Sequence, residues 1–140
     1  MSQSTARGWL DEHAGRAVRS RWSVRRAGIA ALVATKGADI ATTLVGLRVV
    51  ENVREVNPIA AAAIGAHGPV VGLFAVAAAT VLAIVLFVEG TLSLAATSSR
   101  EVLDVDGRTG RVACYGAGAA CNLGIAAYNA AVVLTAALVA

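Results

Sequence analysis

The chain has 140 residues, of which 57% are hydrophobic and only 15% are charged. Its mean hydropathy of +0.69 and its low charged fraction exclude an ordinary soluble domain of this length, so we expect a membrane protein. The formal net charge of +3 is unevenly distributed, because six arginines precede the first apolar run: Arg7, Arg16, Arg19, Arg21, Arg25 and Arg26. A basic segment beside a hydrophobic span favours a cytoplasmic anchor on anionic lipid over a nucleic-acid-binding arm, and no nucleic-acid partner is expected.

The first predicted span covers residues 27–48 and follows a basic N-terminal arm, residues 1–26. At about 1.5 Å per residue, a helix of this length crosses a hydrocarbon layer roughly 30 Å thick. Lys36 and Asp39 fall near its middle, where one unpaired charge costs on the order of 2.5–3.5 kcal/mol. Two opposite charges at this depth require mutual pairing, a wet cavity or a functional role.

Polar and small side chains of this span share one helical face, because residues three or four apart are neighbours on a helix. We expect the face to point inward, with Lys36 and Asp39 paired. Two interpretations stay open: a neutralised pair whose hydroxyl neighbours hold helices together, or a functional site of the kind that intramembrane charges usually mark. The face consists of Thr35, Lys36, Asp39, Thr42, Thr43 and Gly46.

The second apolar region, residues 58–88, is too long to cross a membrane as one straight helix. Gly65, Gly68 and Pro69 cluster where a break is needed. We therefore predict a short helix before the break and a spanning helix over residues 69–97 after it. The spanning helix carries Glu89 near its far end, which we interpret as an interfacial charge.

The short helix should begin at Pro58, with Asn57 as its N-cap. It is too short to cross the membrane, so it either lies at the interface or enters as a re-entrant element, which requires burial against protein. A re-entrant helix would bring Glu55 and a helix N-terminus towards the first span.

The third predicted span, residues 112–139, carries no charge and follows a polar loop or small hairpin, residues 97–111. Asn122 and Asn129 share one of its faces, and an amide in lipid needs a hydrogen-bond partner. Either these amides bond to neighbouring helices, or they surround the charged pair of the first span. The whole face is Cys114, Gly118, Asn122, Ala126, Asn129 and Val133.

The arginines and lysines beside the spans predict the orientation, because basic loops stay in the cytoplasm. The N-terminal flank and the loop between the second and third spans are the more basic. We therefore expect a multi-pass protein of the cell membrane with a cytoplasmic N-terminus and an outer C-terminus.

Several of these residues together form a pattern: Asp39-x-x-Thr42-Thr43, then Glu55-x-Asn57-Pro58, and an asparagine late in the last span, Asn129. The pattern, over about residues 26–138, resembles a family of small prokaryotic multi-pass membrane proteins built on a domain of unknown function. The resemblance implies a compact helical membrane domain with these residues at its polar centre. It brings no established activity with it.

The sequence thus predicts an all-α transmembrane helical bundle, with three spans and a short broken or re-entrant helix before the second. No catalytic, metal or cofactor motif is recognisable, and no cofactor is expected. The leading functional hypothesis is a small-solute or ion pathway component, or an accessory membrane subunit. The candidate polar site is Lys36, Asp39, Thr42, Thr43, Glu55, Asn57, Pro58, Asn122 and Asn129.

Two alternatives remain. The chain could be an intramembrane enzyme that uses Asp39 or Glu55 as acid or base, or a purely structural oligomer subunit. Short helices rich in alanine and glycine leave little room for a cavity within one chain, so we expect the lipid bilayer and a homo-oligomer or another membrane subunit as partners.

Overall fold

A computed structural model describes residues 3–50, 55–97 and 106–139, with side chains described from residue 23 onward. All regular structure in these segments is α-helical, which confirms the all-α class. The side chains of the first four arginines and most of the predicted polar loop, residues 98–105, lie outside the described part. The helices are α1 (Gln3–Val49), α2 (Pro58–His67), α3 (Pro69–Thr97) and α4 (Gly107–Val139).

Three helical segments are long and apolar enough to cross a membrane: Ser23–Val49, Pro69–Thr97 and Gly107–Val139. The predicted arrangement of three spans with a short helix before the second is therefore confirmed. The first helix begins well before residue 27, and the last begins before residue 112.

The most extensive contact between helices joins α1 and α4, which run parallel. Glycine lets their backbones approach closely. A Cβ added at Gly28 would overlap the ring of Tyr115, and one added at Gly118 would lie 2.9 Å from the Leu32 side chain. The two helices keep the same register along their contact. The contacting pairs are Gly28 with Tyr115, Leu32 with Gly118, Thr43 with Asn129, and Gly46 with Val133.

Two apolar cores lie one above the other along the bundle. The first consists of Leu32, Val88 and Tyr115 and lies towards the N-terminal end of the spanning part of α1, which we call the basic end. Leu32 is completely buried, and Tyr115 is only 2% exposed. Cys114, which the spacing places on the inward face, is instead exposed. The neighbouring tyrosine is buried because α1 presents a glycine opposite its ring.

The second core lies towards the opposite end, where α2 and α3 join, which we call the hairpin end. Here Ala60 of α2 packs with Ile40 of α1 and with Leu73 and Ala77 of α3. Ala77 lies two turns into α3, roughly 12 Å from its start. The beginning of α2 therefore lies about two helical turns of α3 away from the hairpin end, beside α1.

The turn between α2 and α3 depends on two glycines. Gly68 has a φ of 80°, which favours glycine, and its N–H donates to the carbonyl of Ile64 at 2.8 Å. A Cβ added at Gly72 would lie 2.6 Å from the backbone of Ala63 and Ile64. The two helices consequently form a tight hairpin, with their backbones in direct contact.

Candidate functional site

An ion pair lies in the middle of the spanning part of α1. The Nζ of Lys36 lies 2.7 Å from Oδ2 of Asp39, one helical turn further along, as their spacing predicts. The side chains are only 18% and 11% exposed. Because the two charges neutralise each other at contact distance, neither is left as an isolated charge at mid-depth.

The second carboxylate oxygen of Asp39 is bonded to α4. Nδ2 of Asn129 donates to Oδ1 of Asp39 at 3.2 Å and to the hydroxyl of Thr43 at 3.0 Å. Thr42 behaves differently, because its hydroxyl donates to backbone carbonyls of its own helix. Lys36, Asp39, Thr43 and Asn129 thus form one continuous hydrogen-bonded group across two helices.

A cavity of about 680 Å³ opens beside this group. The expectation that one chain has little room for a cavity was therefore wrong. The reason is α2, which packs against α3 at the hairpin end, while the core at the basic end holds the three spans together. Seven predicted site residues line the cavity: Lys36, Asp39, Thr42, Thr43, Glu55, Asn57 and Asn129.

The beginning of α2 forms one wall of the cavity. Asn57 is the N-cap, and its Oδ1 accepts from the N–H groups of Ile59 at 3.0 Å and Ala60 at 3.4 Å. Pro58 occupies the first helical turn but does not line the cavity. Glu55 accepts from the N–H of Asn57 at 2.8 Å. No cationic side chain pairs with Glu55 in the described part of the chain.

Asn122 is the other predicted site residue that does not line the cavity. It is 6% exposed, and its side-chain nitrogen has no hydrogen-bond partner within the described segments. The pairing of α1 with α4 positions described above places Asn122 near the level of Thr35 and Lys36, towards the basic end. The two asparagines on one face of α4 are therefore not equivalent, since only Asn129 reaches a polar partner on α1.

A second polar cluster lies at the basic end, which we call the Glu89 cluster: Glu89, Arg111, Tyr115 and Arg25. Arg111 binds the Glu89 carboxylate with two nitrogens, at 3.0 and 2.8 Å. The hydroxyl of Tyr115 donates to the same carboxylate at 2.9 Å, and Nε of Arg25 lies 3.7 Å from it. The cluster joins all three spans. No partner for Glu89 was predictable from sequence spacing, because its partners lie on other helices.

No protein-family model, curated protein or solved structure matches the chain. Within the described residues, no group of three or more His, Cys, Asp or Glu side chains is placed to hold a metal ion. The cavity and the groups that line it are therefore the features of the molecule that bear on its function.

Proposed function

We propose that this small integral membrane protein binds a small solute or ion in its cavity, as a pathway component or as an accessory membrane subunit. The observation that carries the proposal is that the Lys36–Asp39 pair and Glu55 line one cavity. Its volume of about 680 Å³ falls within the range of ordinary small-molecule sites, about 300–1,000 Å³.

A role limited to holding helices together explains less. Interhelical hydrogen bonds, such as those of Asn129, need neither a cavity nor a charged pair. Glu55, moreover, contributes no bond between helices in the described residues, since its carboxylate bonds only to the backbone of Asn57. Charges that face a cavity in a membrane protein commonly mark a solute or ion path.

The position of the cavity fits the predicted orientation. The described arginines of the basic end are Arg25, Arg26, Arg108 and Arg111, and this end should face the cytoplasm. We therefore infer that the cavity opens towards the outer side of the cell membrane. The proposed relationship to the family of small prokaryotic membrane proteins agrees, since its pattern residues Asp39, Glu55 and Asn129 meet at this cavity.

The proposal is tested by the access of water to the cavity. In a background without the two native cysteines, Thr43→Cys places a thiol in the cavity wall, and Val45→Cys places one on the exposed face of the same helix at similar depth. A charged, membrane-impermeant thiol reagent should label the first variant and not the second, because lipid excludes the reagent. If neither is labelled, the cavity is dry and the polar face only joins helices. Labelling of both would contradict immersion in lipid.

One observation favours a second candidate, an intramembrane enzyme. Asp39 and Glu55 line the same cavity, as an acid and a base acting on one substrate would. Both oxygens of Asp39, however, are bonded to Lys36 and Asn129. For any substrate that the protein converts, turnover that is lost in Glu55→Gln would favour the enzyme hypothesis. Asp106→Asn, which changes an exposed acid at the other end of the bundle, is the control and should keep the turnover.

A further inference from the structure

The charges in the cavity wall do not cancel. Lys36 and Asp39 neutralise each other at 2.7 Å. Glu55 remains, with no cationic side chain paired to it in the described segments. The described cavity wall therefore carries a net charge of about −1, which favours a cation over an anion.

Besides Lys36, which Asp39 neutralises, the feature of the described wall that would attract an anion is the N-terminus of α2. Its N–H groups are already occupied. The N–H groups of Ile59 and Ala60 donate to Asn57 Oδ1, and the N–H of Asn57 donates to Glu55. An anion would therefore have to displace the cap while facing two carboxylates.

The rest of the wall is mainly apolar, with residues such as Leu47, Leu73, Val76, Ile125 and Val132. A hydrated metal ion gains little from such a surface, whereas an organic body gains by leaving water. Tyr128 adds an aromatic ring to the wall, and the faces of aromatic rings attract organic cations.

We propose that the cavity binds a small amphipathic organic cation, an ammonium group attached to an apolar body. The ammonium lies at Glu55, and the apolar body contacts the aliphatic side chains of α3 and α4. This assignment rests on the proposed function and names the class of solute that it would carry.

The test compares two probes of similar size and opposite charge, benzyltrimethylammonium and benzenesulfonate. Each is titrated calorimetrically into the full-length protein in detergent, with protein-free micelles as the blank. The ammonium should bind and the sulfonate should not. Equal binding of both probes, stronger binding of the sulfonate, or no binding of either would overturn the proposal.

Variants then locate the charge. Glu55→Gln removes the charge but keeps an oxygen that can accept from the N–H of Asn57, so the wall is preserved. It should weaken ammonium binding at least about tenfold. The attraction between opposite charges in contact near a protein surface is large enough that losing it accounts for a change of this size. Asp106→Asn is the matched control and should leave the affinity unchanged. Equal affinities of the wild type and Glu55→Gln would remove the carboxylate from the proposal.

Failure here differs from failure of the proposed function. If Thr43→Cys is labelled from water and neither probe binds, the cavity still admits solute, and only the class of ligand is wrong. If the thiol is not labelled, the solute-binding function itself fails.

Discussion

Asn129 on α4 donates a hydrogen bond to Asp39 on α1, with 3.2 Å between the nitrogen and the carboxylate oxygen. This contact completes the surroundings of Asp39, whose other oxygen is paired with Lys36. It also joins the two helices that form the longest contact in the bundle. The polar centre of the protein is thus held by one amide from outside the helix that carries the charges.

The two asparagines of α4 should respond oppositely to replacement by leucine. Asn129→Leu removes bonds to Asp39 and Thr43 and should lower the free energy of unfolding by about 1–2 kcal/mol. Asn122→Leu removes a buried nitrogen without a partner in the described chain and should be neutral or stabilising. Unfolding in mixed detergent micelles measures both. Equal losses would mean that Asn122 has a partner of its own.

The charged pair should behave as a unit. Lys36→Met alone leaves Asp39 charged and largely buried and should lower the free energy of unfolding by about 1–3 kcal/mol, less than for a fully buried pair because water in the cavity screens part of the charge. Lys36→Met combined with Asp39→Asn should recover most of this loss, because no buried charge remains. A double-mutant cycle of unfolding free energies measures the coupling. Additive losses would show that solvent already screens both charges.

Two glycines of the α2–α3 hairpin provide a matched comparison. Gly72→Ala places a methyl group 2.6 Å from the backbone of Ala63, which cannot move aside, so the hairpin should open and unfolding should become easier by about 1–3 kcal/mol. Gly65→Ala meets nothing within 4 Å and should be neutral or stabilising by up to about 1 kcal/mol through helix propensity. Thermal unfolding in detergent distinguishes them. The same effect from both would contradict the close contact.

The Glu89 cluster should stabilise the basic end. Glu89→Gln removes the charge that binds Arg111 and should cost about 1–3 kcal/mol. Tyr115→Phe removes one hydrogen bond but keeps the ring in its core and should cost less, about 0.5–1.5 kcal/mol. Unfolding measurements at low and high salt test both variants. If the Phe variant lost more than the Gln variant, the ring and not the carboxylate would hold this end together.

Local features of the fold were predictable from the sequence. The Asn57–Pro58 pair indicated where α2 begins, and the glycine and proline at residues 68–69 indicated where it ends. The pairing of Lys36 with Asp39 followed from their spacing along one helix. Each feature depends on residues within one or two helical turns of each other, and such local interactions follow directly from the spacing of residues in the sequence.

Features that depend on contacts between helices were not predictable. The depth of α2 is set by Ala60 against Ile40 and Ala77, three small or apolar side chains with no distinctive pattern. The partners of Glu89 are 22 and 26 residues away, on another helix. The difference between the two asparagines of α4 likewise depends on which α1 side chain lies opposite each.

The core formed by Leu32, Val88 and Tyr115 limits how far a solute could move along the bundle. This core lies between the cavity and the basic end and packs the three spans together there. Under the proposed function, a solute bound in the cavity could pass on to the basic end only if these three side chains separated. Without that separation, the protein would receive and return its solute on one side of the membrane.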